Sequence, residues 1–190
     1  RAACAGEVDG EVVDLRTVLD KDCELNILTA RDEKGLAVLR HTASHVMAEA
    51  VQTLFPEAKV AIGPSIDTGF YYDFECQSFS RDDLDAIEKE MKKIIKKGAK
   101  IERFTKSRED AIAFFKEIED LPEGEEISFY SQGDWVDLCA GPHLMSTKGI
   151  KAFKLLSSSG AYWRGDENKH MLTRIYGTAY ATKDELKEHL

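Results

Sequence analysis

His41-Thr42-Ala43-Ser44-His45 sets two imidazoles four residues apart, and Cys139-Ala140-Gly141-Pro142-His143 sets a thiol and a third imidazole at the same interval. Three of the five histidines and one of the four cysteines fall in these two strings. A single His-x-x-x-His is common in helices. A Cys-x-x-x-His built on Gly-Pro, which forces a turn and exposes its side chains, makes the combination more specific. Two chemistries suit it. Three imidazoles and a thiolate can close tetrahedrally on zinc, as a sealed structural site or an open one that keeps a water. Without metal, imidazoles titrating near neutrality can act as general bases on a water that attacks an ester. Unrelated surface histidines and a buried thiol are the bland alternative. Asp137 falls on the same strand face as Cys139. It could orient a histidine, bind a substrate amine, or be a plain surface carboxylate.

The elements that must carry these residues are readable in part. Leu36, Leu39, Ala43, Val46, Met47, Ala50 and Leu54 form an apolar stripe at helical period, which predicts a helix over about 35–55 stopped by Pro56. His41 and His45 lie roughly opposite the centre of that stripe, stacked one turn apart, so they face solvent or a second packed surface. Val60–Pro64 and Phe70–Phe74 read as a hairpin with core aromatics. Ser80 and Asp83 start a helix with Leu84, Ile87, Met91, Ile94 and Ile95 inward, ended by Lys97-Gly98. Ser107–Phe115 predicts a short helix with Ile112 and Phe115 inward. Strands are expected at Ile127–Tyr130, Trp135–Leu138, Ala152–Leu156, Ala161–Trp163 and Arg174–Tyr176, and a last helix from Thr182. At the start, Asp9-Gly10 signals a hairpin turn, Val12–Leu19 a helical turn and Leu25–Leu28 a strand. That piece is too short for a core of its own. Strands interleaved with two or three helices imply an α+β layered fold.

The chain has 190 residues, 43% of them hydrophobic and 32% charged, with 4 Pro and 13 Gly, which supports a buried core and argues against disorder or a collagen-like repeat. No apolar run reaches the roughly 18 residues of a membrane span, and Arg1-Ala2-Ala3-Cys4 is no secretory signal. Cys4, Cys23, Cys76 and Cys139 form no Cys-x-x-Cys pair, which reads as a soluble protein of a reducing, cytoplasmic compartment. The net charge of −9 discourages a nucleic-acid partner, yet residues 89–106 hold eight basic side chains against two acids. Such a stripe can hold a phosphate backbone, or be a solvated helix face. Gly160–Asp166 could offer Tyr162 as a stacking platform and Arg164 as a charged edge for a base or ribose. The same string reads equally as core aromatics followed by a turn.

In chain order, Arg40–His45, Ile62-Gly63-Pro64, Gly69–Asp73, Asp137–His143, Phe153-Lys154-Leu155, Gly160–Asp166 and Arg174–Ala179 resemble the bacterial-type threonyl-tRNA synthetases over nearly the whole sequence. The resemblance implies three parts. Residues 1–30 would be the C-terminal part of a ubiquitin-like β-grasp module. Residues 31–180 would be an aminoacyl-tRNA editing domain, a layered antiparallel sheet with helices of the threonyl/alanyl-tRNA synthetase second additional domain type. Residues 181–190 would begin a linker helix to a catalytic domain absent here. It further implies hydrolysis of the ester of tRNA(Thr) mischarged with serine, by general-base-activated water. His41, His45, Asp137, Cys139 and His143 would line the pocket, with His45 or His143 as the base. Lys92, Lys93, Lys96, Lys97, Tyr162 and Arg164 are the candidates for tRNA contact.

Related alanyl-tRNA editing domains hold zinc with the same histidine and cysteine set, whereas the threonyl type works without it. Zinc on His41, His45, Cys139 and His143 is therefore a possibility and not the favoured reading, and no cofactor is required for editing. ATP, magnesium and a further zinc belong to the absent catalytic domain, as does the surface that makes the parent enzyme a homodimer. Two departures stand out. Ala140 replaces the family's usual Arg, which bears on a salt bridge or phosphate contact. About ten residues the family carries between the Glu109–Lys116 helix and Ile118–Pro122 have no counterpart. Two other functions fit the motifs: a freestanding zinc-dependent trans-editing protein, and a non-catalytic RNA-binding module whose histidines and cysteine only staple the fold.

Overall fold

Residues 2–114, 126–168 and 171–190 are described in the computed structural model, the Arg164 side chain excepted. Asp9 and Gly10 both take positive φ, 49° and 86°, which a two-residue hairpin loop requires. They join β1 (Ala3–Val8) to β2 (Glu11–Val13), and β3 (Leu25–Thr29) pairs with the other edge of β1. The helical turn expected after β2 is a single turn, closed by the Thr17 N–H on the Asp14 carbonyl at 3.0 Å. This small sheet shares the main core, into which Cys4, Ala5 and Leu28 are packed.

Helix α1 (Glu33–Leu54) matches the predicted span, and its stripe is buried apart from half-buried Leu36 and exposed Leu54. Burial extends well beyond that stripe to Thr42, Ser44 and His45. A helix buried on several sides must meet more than one layer. Here β5 (Ser65–Ile66), β6 (Gly69–Glu75) and β1 contact α1, and residues 132–144 bond to its polar side. The second packed surface is the correct alternative for the two histidines.

The largest sheet is antiparallel, in the order β10 (Ala152–Tyr162), β11 (Met171–Tyr180), β6, β4 (Lys59–Val60), with β5 also on β6. Helix α2 (Arg81–Lys97) opens on the Ser80/Asp83 capping box, buries Leu84, Ile87, Met91 and Ile94, and ends at Gly98 in the left-handed region, φ 68°. A third sheet runs β7 (Ile101–Ser107), β8 (Glu126–Gln132), β9 (Trp135–Leu138). Strand β7 carries little signal in the sequence, because only Ile101 of its residues is fully buried and little apolar alternation marks it.

Helix α3 (Arg108–Phe114) corrects one expectation: Ile112 is 55% exposed, and Ala111 instead packs with Ile127 and Phe129 of β8. The small alanine lets this two-turn helix sit close on the sheet. Phe115 and the segment 115–125 lie outside the described residues. Helix α4 (Lys183–Glu188) starts at Thr182, whose hydroxyl accepts the Glu185 N–H. Among the described residues no helix is long and apolar enough to cross a membrane.

Candidate functional site

The four-residue spacing in α1 stacks His41 above His45, and the turn after β9 brings Cys139 and His143 against them. The imidazole of His143 stacks on His41 with centroids 4.3 Å apart and meets His45 at 4.3 Å, and His41 and His45 are 5.1 Å apart. Cys139 Sγ lies 3.2 Å from His143 Nε2 and 3.5 Å from His41 Nε2. One donor atom from each of the four residues falls within 4.8 Å of all the others. Residues nearly a hundred positions apart thus share one cluster.

Neighbouring groups fix the cluster's orientation. The Thr42 hydroxyl is 2.9 Å from His143 Nδ1 and accepts the Leu144 N–H at 3.0 Å, tying the turn to α1. Gly141 takes φ +77°, and a Cβ there would stand 2.1 Å from the Tyr130 hydroxyl. Only glycine fits that approach. The Gly141 N–H donates to Cys139 Sγ at 3.2 Å. Asp137 is buried; its Oδ2 accepts the Tyr72 hydroxyl at 2.5 Å and lies 3.6 Å from His45 Nε2, and its Oδ1 accepts the Leu138 N–H at 2.8 Å. Tyr72 lies flat against Gly63, where a Cβ would meet its ring at 1.9 Å. Trp135 stands edge-on to His45 at 5.6 Å, and its indole N–H donates to Gln52 at 2.7 Å.

Burial dominates the electrostatics. It pulls His41 down to about 3, with His45 beside it adding to the effect, and pulls His45 to about 3. His143 is also driven well below its ordinary range, by burial first and by the two imidazoles next. All three rings are therefore neutral at pH 7, and the 3.6 Å contact between His45 and Asp137 is not an ion pair. The same desolvation raises Asp137 to about 6 and Cys139 to about 12. The thiol is thus protonated at neutral pH, which disfavours it as a nucleophile.

Three neutral imidazoles and one thiol this close together fit a zinc ion, with Thr42 behind His143 as an outer-shell partner. Holding the ion would require Cys139 to give up its proton. In the cluster itself, His41 is half-buried beside half-buried Gly141 and Pro142, while His45, Cys139 and His143 are buried. A ligand would therefore reach it from the His41 side.

The remaining sequence candidates lie elsewhere. Lys92, Lys93, Lys96 and Lys97 are exposed on α2. Tyr162 is exposed at the end of β10, and the Arg164 side chain lies outside the described residues. Exposed Ala140 leaves a side chain at that position facing solvent. A groove of about 380 Å³ between Cys76, Phe79, Ser158 and Met171 shares no residue with the cluster. Tyr72, Thr42, Tyr130, Asp14 and Arg16 were not singled out as site residues from the sequence. Thr42 lies inside the histidine string and Tyr72 inside Gly69–Asp73, which could have flagged both.

Residues 127–176 match the model of the threonyl and alanyl tRNA synthetase second additional domain. Over all of its length the chain is 57% identical to a threonine–tRNA ligase of Acetivibrio thermocellus, 58% to one of Clostridium botulinum and 56% to one of Clostridium novyi. Its whole length is thus similar to part of these threonine–tRNA ligases. It covers about a third of those ligases, 32% of the first two and 31% of the third. Each alignment runs over 200 positions against 190 residues here, so it includes positions of the ligases without a counterpart in this chain.

Proposed function

We propose that this chain is the proofreading part of a threonine–tRNA ligase, hydrolysing the ester of serine wrongly attached to tRNA(Thr). The convergence of His41, His45, Asp137, Cys139 and His143 in one cluster carries the reading. The need for such a site is physical. A pocket built for threonine gains only about 1–3 kcal/mol from the methyl group that serine lacks, roughly 10–200-fold, which is too little for translation. A second, smaller hydrolytic site that admits serine and excludes threonine supplies the rest.

In this reading the 3′ end of the tRNA enters beside His41 and Pro142. His45 takes the proton of the attacking water, and Asp137, 3.6 Å from its Nε2, stabilises the imidazolium as it forms. Both nitrogens of His143 are already engaged, by Thr42 and Cys139, which suits it to orientation more than to proton transfer. A second imidazole or a backbone N–H stabilises the oxyanion. Asp137 is also the group able to receive the serine α-amine, and Cys139 shapes the pocket. Zinc held by three of these donors would polarise water or carbonyl at the open position, and zinc held by all four would staple the fold.

The division into 1–30, 31–180 and 181–190, the contact of Lys92, Lys93, Lys96 and Lys97 with tRNA phosphates, and dimerisation of the parent enzyme belong to the same proposal. The test is deacylation of seryl- and threonyl-tRNA(Thr) by the full-length protein, with and without chelator. Cleavage of the seryl ester alone, unchanged by chelation, is expected. Activity abolished by chelator and restored by zinc would favour the zinc-dependent alternative. Cleavage of neither ester would leave the RNA-binding module.

A further inference from the structure

Two residues far from either motif hold the turn that carries His143. Asp14 Oδ2 accepts the Tyr130 hydroxyl at 2.7 Å and the His143 N–H at 3.2 Å. Its Oδ1 accepts the Arg16 N–H at 2.9 Å and the Arg16 guanidinium at 2.8 Å. The same nitrogen, Nη1, also donates to the His143 carbonyl at 3.3 Å, and Nη2 donates to the carbonyls of Leu144 at 3.0 Å and of Ile101. The peptide N–H and the carbonyl of His143 are thus both taken by residues 127 to 129 positions earlier in the chain. Tyr130 completes the frame, its ring edge-on to His143 at 4.5 Å and its hydroxyl in the space a Cβ on Gly141 would need.

The electrostatics agree with a built device. The Asp14 and Arg16 side chains are only 9% and 17% exposed. Burial pushes the Asp14 carboxyl up, but hydrogen bonds from Tyr130, Arg16 and His143 outweigh it and hold its pKa below the usual range. A buried ion pair contributes little net stability compared with an apolar pair of similar shape, and its best-attested use is to fix one arrangement against others. Here the arrangement fixed is the position of an imidazole that stacks on His41 and touches His45. Thr42 orients that ring from α1, while Asp14 and Arg16 hold its backbone.

We propose that Asp14 and Arg16 are positioning residues for hydrolysis, coupling the segment after β2 to the His143 turn. This rests on the hydrolytic reading above. Neither residue touches the reacting groups, so their loss acts through the placement of His143, and a displacement near 1 Å costs on the order of a hundredfold in rate.

The test uses the full-length protein and seryl-tRNA(Thr). Asp14→Ala and Arg16→Ala should lower kcat by roughly 10–100-fold with KM changed less than about threefold. Arg16→Lys, which keeps the charge and a donor for the carbonyls, should recover most of that loss. Lys34→Ala, which breaks the Lys34–Glu7 pair on the same N-terminal sheet, should leave kcat unchanged at a temperature well below every variant's Tm. If the wild type hydrolyses the ester and both alanine variants stay within twofold of its kcat, the positioning role is wrong and the hydrolytic reading stands. A rate loss in Arg16→Ala that Arg16→Lys does not recover, and that follows Tm alone, also overturns it. If the wild type cleaves no ester, the hydrolytic reading falls and this role falls with it.

Discussion

At the scale of single residues, the cluster carries a pH dependence whose sign can be worked out. His41 and His45 fall from an ordinary value of 6.5 to about 3 on folding. Between those values the unfolded chain binds more protons than the folded one, so stability present above 6.5 is lost as pH falls. Each group contributes up to about 1.4 kcal/mol per pH unit, and His143 acts in the same direction. Asp137 opposes them. Its folded value of about 6 lies above the ordinary 3.8, so its contribution is present below 3.8 and lost as pH rises through 6. Three imidazoles outweigh one carboxylate, and urea midpoints should fall as pH drops from 7 to 4. Asp137→Asn removes the opposing group and should make that fall steeper. An acid limb no steeper than the wild type's would contradict the assigned shift of Asp137. The sequence displayed these five residues by type and interval. It could not display their charge state, which burial between α1 and the Cys139–His143 turn sets.

At the scale of elements, the helices were the most readable because their signals are local. The stripe from Leu36 to Ala50, the Ser80/Asp83 box and Gly98 each act within a turn or two of chain. Elements whose form a partner decides carry weaker signals: β7 is a strand because β8 pairs along it, and α3 turns Ala111 inward because Phe129 and Ile127 lie beneath. The turn from Cys139 to His143 sits between these cases. Gly-Pro announced a turn, but the need for glycine comes from Tyr130, eleven residues earlier on β8. Gly141→Ala combines a left-handed φ with a Cβ 2.1 Å from the Tyr130 hydroxyl. It should cost on the order of 1–3 kcal/mol in stability, read from denaturant midpoints, and reduce hydrolysis further than stability alone explains. Wild-type stability in Gly141→Ala would show that the turn is not held against Tyr130.

For the molecule as a whole, charge is divided between a net −9 and a run of exposed lysines on α2. If those lysines meet phosphates, replacing Lys92, Lys93, Lys96 and Lys97 by alanine should weaken tRNA binding. The slope of log affinity against log salt should become shallower by about one for each lysine–phosphate pair removed. An unchanged slope would assign α2 to solvent. Long-range wiring was the least legible feature in the sequence. Asp14 and Arg16 lie in no motif, and nothing within the segment after β2 indicates that their partners are His143 and Tyr130 more than a hundred residues away. The N-terminal sheet was expected to lack a core of its own, and its packing of Cys4, Ala5 and Leu28 into the common core agrees.

The proposed chemistry is tested most directly by deacylation of seryl- and threonyl-tRNA(Thr) with the full-length protein and its His45→Ala variant, both checked for folding. The predicted result is cleavage of the seryl ester only, lost by at least about 10²-fold in the variant at unchanged fold, as expected for removal of a general base. Seryl ester cleaved equally well by His45→Ala would contradict the account.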